Sequence, residues 1–252
     1  MRRLGLATAC MVVAAFAVGC GPVVTGTAKP APNLKPRPLS GQIVKHVLLD
    51  GRALSKMLGQ PFVSRAPAKF GGADILDQRE APPESADCLE VTAMLQKSVY
   101  GPANVQTVAS ESWWNDGDPA QVISVMEGVV TLPSAAEAQA LFAKFPDQWQ
   151  QCKGQTTTEK TGPINTSTVI NDIRITDSVV AATNTATATL PNMPALQPTP
   201  QARAIGVRLN CIVEVEMVFF GDRRPSDPGS ANPDTSAVDV AQAMMEKVSD
   251  LS

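Results

Sequence analysis

The chain has 252 residues, 44% hydrophobic, 18% charged and 4% aromatic, proportions that suit one or two globular domains and exclude a collagen-like or wholly disordered polymer. Its net charge is −3, and setting aside Arg2 and Arg3 as part of a removed leader leaves 19 basic against 24 acidic residues, or −5. With no basic block to neutralise phosphates, nucleic acid is excluded as a partner, and a single histidine, His46, excludes any metal site that needs two imidazoles.

Met1-Arg2-Arg3 is a positive n-region, and Leu4 to Ala17 is uncharged and apolar. That stretch falls short of the roughly 20 residues needed to span a bilayer, so it reads as the core of a signal peptide. Ala17-Val18-Gly19-Cys20 follows, small residues before a cysteine in the manner of a bacterial lipobox, with Ala17 where Leu is commonest. On this reading residues 1–19 are cleaved, Cys20 Sγ carries a diacylglyceryl group, and the freed amine takes a fatty acyl chain such as palmitate. Two or three chains anchor stably where one is marginal. The alternative is an ordinary secretory signal with an incidental cysteine. Cys10 is lost with the leader.

Residues 20–41 form a tether. Pro22, Pro30, Pro32, Pro36 and Pro38 fall in a segment with almost no apolar pattern, which buries too little to order itself. In polyproline form, at roughly 3.1 Å per residue, it holds a domain up to ~60 Å from the membrane. Lys29, Lys35, Arg37 and Lys45 precede the first acid, Asp50, and are available to anionic headgroups or simply solvated.

The folded domain is expected over residues 42–252, long enough for a single well-buried core. Asp50 caps a short helix carrying Leu54, Met57 and Leu58, which Gly59 and Pro61 end. Pro61 to Asp87 reads as loop, and Cys88, Val91 and Leu95 are spaced as one helix over 88–97. Val105–Trp113 and Gln121–Leu132 read as strands joined by the turn formers of residues 114–119. Ser134-Ala135-Ala136-Glu137 fits a capping box ahead of an apolar stripe, Ala138, Leu141, Phe142, Phe145, Trp149 and Cys152, which Pro146 should kink or divide after Ala143. Val169–Ile175 and Val179–Leu190 are further strands, and Pro191–Pro200 is a loop. From Ile205 to Phe219 every second residue is apolar, a half-buried strand. Fifteen residues would extend ~50 Å, so it must bend or fold back, with Asn210 the expected place. A closing helix over 237–248 presents Val240, Ala241, Met244 and Val248. These elements make an α+β fold, a curved antiparallel-rich sheet with helices packed on it, in a single domain.

Several short features in this order carry a resemblance. They are the lipobox and Pro-rich tether, Leu48-Leu49 ahead of the helix ending at Gly59, Cys88, Trp149-Gln150-Gln151-Cys152, Arg203-Ala204, Asn210 with its alternating strand, and the Ala-rich last helix. Over residues 42–250 the chain resembles the PknH-like extracellular sensor domain, found on a receptor Ser/Thr kinase and on stand-alone lipoproteins of mycobacteria and their relatives. The resemblance implies helices flanking a sheet around a large cleft that takes an unidentified ligand outside the membrane. This sequence carries no kinase domain, so signalling would need a partner.

Beyond Cys20 three cysteines remain, Cys88, Cys152 and Cys211, and in an oxidising compartment one is left over. The resemblance implies half-cystines at Cys88 and Cys152. Closing their loop stabilises by roughly 4 kcal/mol on the chain-entropy model. Cys211, mid-strand on the buried face, is then a small free hydrophobe; the other possible pairings join it to Cys88 or Cys152. Relatives tend to carry further cysteines near the places of Gln201 and Phe219, so a second bridge is missing here.

Asn115-Asp116-Gly117-Asp118 lacks the spacing and later glutamate of a calcium loop and reads as a hairpin turn. No serine or cysteine is set beside His46 by a recognisable elbow, so it reads as a surface or partly packed residue. Glu214 and Glu216, with Arg208, fall opposite the apolar stripe, on a wet cleft or a solvated sheet face. Trp113 and Trp114 point to opposite faces of a strand, the exposed one being the candidate ligand contact. The candidate ligand-binding set is therefore Trp113, Trp114, Arg208 and Glu214. No catalytic residue, metal or cofactor is expected. The expected role is a non-enzymatic ligand-binding or sensor lipoprotein, anchored on the extracytoplasmic side of the cell membrane and holding a small molecule or envelope lipid. The alternative is a structural lipoprotein that docks another envelope protein.

Overall fold

The computed structural model describes residues 36–79, 83–117, 120–221 and 232–252. The leader, Cys20 and most of the tether lie outside these residues, as do Asp118, Pro119 and residues 222–231.

Among the described residues nine strands form one open antiparallel sheet: β1 (Phe62–Ser64), β2 (Lys69–Gly71), β3 (Thr107–Asn115), β4 (Val122–Thr131), β5 (Thr156–Thr161), β6 (Ile164–Ile175), β7 (Val179–Thr189), β8 (Thr199–Arg208) and β9 (Cys211–Phe219). Their order is β1-β3-β4-β9-β8-β7-β6-β5, with β2 beside β1 on the same edge of β3. The meander β5 to β9 is thus closed onto the β3–β4 hairpin by one long seam, from Val122↔Phe219 to Thr131↔Cys211.

The apolar run from Ile205 to Phe219 folds back where a break was expected. Arg208 pairs with Cys211 across a turn of Leu209 and Asn210, Leu209 taking the left-handed φ of 51° that such tight turns require. Asn210 is buried there and works as a staple: its Oδ1 accepts from the Leu39 amide at 2.8 Å, and its Nδ2 donates to the carbonyls of Leu39 and Leu132. The turn also breaks the single stripe. Pairing of Ile205 with Glu214 and of Val207 with Ile212 puts these four on one face, while Ala204, Gly206, Val213 and Val215 occupy the other.

Both faces are covered, so the sheet is the middle of three layers. On the first face lie a 3₁₀ segment (Gly41–Val47), α1 (Gly51–Leu58) and α6 (Ser236–Asp250), packing Val44, Val47, Leu54 and Met244 against Val125, Val213 and Val215. Burial of such side chains stabilises by about 1.5–3 kcal/mol each. Asp50 Oδ1 accepts the Ala53 amide at 2.8 Å, and Gly59 ends α1 at a φ of 70°. Gly206 lets α6 sit close on β8, because a Cβ there would stand 2.7 Å from the Met245 sulfur.

The second face carries α2 (Leu89–Thr92), α3 (Lys97–Tyr100), α4 (Ala135–Phe142) and α5 (Phe145–Cys152) over Leu132, Ile170, Ile205 and Ile212. The long helix splits at Ala143-Lys144, leaving Pro146 in the first turn of α5, where no intrahelical amide is lost. Ser134 Oγ accepts the Glu137 amide, and the Glu137 carboxylate accepts from that hydroxyl, half of the expected capping box.

Two expectations are corrected. Residues 88–97 are not one helix, because the backbone leaves helical form after α2 to meet tertiary partners. Leu95, at φ 54°, donates its amide to Glu214, and Asp77 brackets the segment by bonding to Leu95 and Lys97. Residues 61–87 are not all loop, since β1 and β2 add to the sheet edge. The sequence reading also passed over β5, whose Thr-Thr-Thr-Glu-Lys-Thr has no apolar alternation, although its β-branched residues suit the β6 edge.

Candidate functional site

A cleft of about 700 Å³ opens on the second face, with α2 and α3 as one wall and α4 and α5 as the other. Val99, Leu132, Leu141 and Phe145 give it an apolar lining, while Glu90, Lys144 and Gln148 add polar groups. A disulfide between Cys88, just before α2, and Cys152, at the end of α5, ties the two walls together. Cys211 is free and buried on the opposite face, where burial pushes its thiol up to about 12.

Beneath the cleft lies a buried ion pair, Arg203 Nη2 to Glu214 Oε2 at 2.7 Å, its side chains 0% and 2% exposed. The hairpin places it, since Arg203 and Glu214 come from β8 and β9 on the same face of the sheet. Arg203 Nη1 also donates to the carbonyl of Val215, and Nη2 to those of Glu90 and Ala93, which pins α2 to the sheet. Glu214 Oε1 receives the Leu95 amide and the Tyr100 hydroxyl, fixing the connection into α3. Gly128, paired with Glu214, leaves room for Leu95; a Cβ there would stand 3.0 Å from its methyls. The Arg203 guanidinium lies 5.9 Å from the centre of the Trp149 ring in α5, so one side chain bears on both walls.

Four buried polar atoms lack a hydrogen-bond partner among the described residues: Glu90 Oε1, Trp149 Nε1, Asn184 Oδ1 and Arg203 Nε. All belong to this layer, because Asn184 bonds the carbonyl of Val91 and Arg203 that of Glu90. An orphaned buried group costs about 1–3 kcal/mol. Only Glu90 of the four lines the cleft. Burial, then repulsion from Glu214, raises its carboxyl to about 8, against the opposing pull of the Gln148 amide and Arg203.

The first face has a buried acid of its own. Glu127 accepts the Leu49 amide and Trp113 Nε1, both at 3.2 Å, and burial raises it to about 8. It positions the chain entering α1.

The four ligand candidates are not brought together, and none lines the cleft. Trp113 packs on the first core and bonds Glu127, whereas Trp114, 37% exposed on the other face, carries the Arg65 guanidinium 5.2 Å from its ring. Arg208 donates to Ser249 Oγ on α6, at the edge of a smaller hollow of about 260 Å³. Glu214 is buried in the ion pair, which corrects its placement on a wet surface. Glu214 and Arg208 lie on opposite faces, because the turn at Leu209-Asn210 reverses the phase on which they were grouped. His46 is exposed in the first 3₁₀ segment. Sequence reasoning missed Glu90, Tyr100 and Gln148. The signal that could have found the ion pair is Arg203 in phase with Ile205 and Val207 on β8, once the turn at Leu209-Asn210 sets Ile212 and Glu214 of β9 on that same face.

Residues 39–247 match the family of PknH-like extracellular domains. The crystal structure of the extracellular domain of PknH from Mycobacterium tuberculosis shares the fold with a TM-score of 0.68 at 17% identity, over 85% of this chain and 98% of that one. The X-ray structure of an uncharacterised protein from Mycobacterium smegmatis aligns over 83% of this chain and 97% of its own, at 14% identity and a TM-score of 0.39. No curated protein matches the sequence. By its family match over most of its length, the chain belongs to the PknH-like extracellular domain family.

Proposed function

We propose that the protein is a lipid-anchored, non-enzymatic sensor module of the cell envelope, which holds a small molecule or envelope lipid in the cleft between α2–α3 and α4–α5. The observation that carries this reading is the cleft itself. It is a cavity of about 700 Å³, within the range of small-molecule sites, whose lining sets apolar residues such as Leu141 and Phe145 beside polar and charged ones such as Glu90, Lys144 and Gln148. Its walls are held by a disulfide at one end and by Arg203 from below. The extracytoplasmic setting follows the family, and the lipobox at Cys20 supports the anchor.

Native mass spectrometry of protein purified from its own host tests the cleft, with a co-purifying small molecule or lipid as the expected result. A clean apo mass, together with one specific envelope protein recovered by crosslinking, would favour the docking role instead. Cys20→Ser tests the anchor: the wild type should fractionate with membranes as a mass lacking residues 1–19, and the variant should lose the acyl mass.

A further inference from the structure

The lining of the cleft mixes apolar residues with polar and charged ones, and the most deeply buried of its acids is Glu90. Glu90 is 8% exposed and lines the cleft, and its Oε1 has no hydrogen-bond partner among the described residues. Arg203 pairs with the Glu214 carboxylate and gives Nη1 to Val215 and Nη2 also to the backbone carbonyls of Ala93 and Glu90, while its Nε is left without a partner among the described residues. At the rim Asp87 and Glu137 are exposed, with Lys144 the one basic residue in the lining. The local charge balance is therefore negative.

We propose that the cleft binds a small organic cation, an amine- or guanidine-bearing molecule with an apolar body, whose N–H groups pair with the Glu90 carboxylate. This deepens the cleft reading above and rests on it. The apolar part lies against Val99, Leu141 and Phe145, and the charged end reaches the floor. A charge-assisted N–H to carboxylate bond is stronger than a neutral one, and the burial of Glu90 strengthens it further.

The pairing is linked to a proton. Facing Glu90 are Asp87 from its own wall, Glu214 and Arg203 from the sheet, Tyr100 from α3 and Gln148 from α5, with Glu137 and Lys144 at the α4–α5 rim. Burial and Glu214 hold the Glu90 carboxyl up to about 8, so it is neutral in the empty cleft at neutral pH. A bound cation ionises it and one proton is released. Affinity should therefore rise, by up to about tenfold per pH unit, until pH 8 is reached.

The probes are benzylammonium, benzyl alcohol and benzoate, titrated by saturation-transfer NMR onto the mature lipoprotein in nanodiscs, with empty nanodiscs subtracted. Benzylammonium should bind at least tenfold more tightly than the other two at pH 8 and should weaken on going to pH 6.5. Glu90→Gln, which keeps the shape, should erase that preference and the pH dependence. Equal binding of alcohol or benzoate, unchanged binding by Glu90→Gln, or no binding of the amine would each overturn the cation inference. Ala140→Trp, at an exposed lining position of α4, should block the cleft. If probes bind and Ala140→Trp leaves that binding unchanged, the cleft reading itself fails; if Ala140→Trp blocks binding that shows no preference for charge, only the cation inference fails.

Discussion

Arg203→Met is the most informative single change, because Arg203 joins the sheet to the cleft wall. The substitution removes an ion pair at 2.7 Å whose partners are 0% and 2% exposed, and three hydrogen bonds to the carbonyls of Glu90, Ala93 and Val215. Glu214 is left buried with the Leu95 amide and the Tyr100 hydroxyl alone. Breaking a buried pair from one side costs about 3–5 kcal/mol, a large share of the roughly 5–15 kcal/mol by which a domain is stable. At roughly 2–4 °C per kcal/mol for a chain of this size, Tm should fall by about 6–20 °C. Arg203→Met/Glu214→Leu should recover part of that loss, since replacing both charges by apolar groups removes the stranded carboxylate. Recovery should be incomplete, because Tyr100 then loses its acceptor. Urea denaturation measures the stability, and hydrogen exchange locates the loss, with faster exchange expected in residues 89–100. The reasoning is refuted if Arg203→Met costs under 1 kcal/mol, or if the double variant loses as much as the two single variants combined.

Glu90 makes stability depend on pH with a definite sign: its carboxyl is raised to about 8 in the fold, so the unfolded chain gives up that proton first and stability drains away between about pH 4.5 and 8. Glu90→Gln should therefore be neutral near pH 4 and more stable than wild type by about 2 kcal/mol or more at pH 8; a constant difference across that range would contradict it. Glu127→Gln should show the same trend on the opposite face, blunted by loss of an acceptor for the Leu49 amide, as read by the same titration of Tm. Cys211, buried with its thiol pushed up to about 12, should resist iodoacetamide in native protein and react in denaturant, whereas rapid native labelling would place it at the surface. Cys88→Ala/Cys152→Ala should lower stability by roughly 4 kcal/mol on the chain-entropy model, measured by urea denaturation, and no loss would mean that the helices alone hold the cleft walls.

Much of the architecture was legible in local chemistry. Asp50 and Gly59 bracket α1, Ser134 starts α4, Pro146 separates α4 from α5, and the period-two and period-3.6 patterns find β3, β4 and the closing helix, because caps, rings and periodicity act over a few neighbouring residues. Cysteine counting left one thiol unpaired but three pairings open; the resemblance implied which two join, and the fold sets Cys88 beside Cys152. The grouping of Glu214 with Arg208 failed because the two-residue turn at Leu209-Asn210, where a break was expected, reverses which residues share a face. The helix expected over 88–97 failed because a long-range bond overrode a local pattern, Glu214 drawing the Leu95 amide out of helical form.

The cleft was beyond sequence reading for the same reason on a larger scale. Its walls are separated by the whole β3–β4 hairpin, and its key carboxyl, Glu90, sits in a four-residue helix with no motif around it. By itself the chain determined its α+β class and most of its elements, since each depends on residues close together in sequence. Only the tertiary structure decided which charges are buried, which are paired and which one faces the cavity, because burial and electrostatic partnership are properties of neighbours in space, and here those neighbours are brought together by strand register across a sheet.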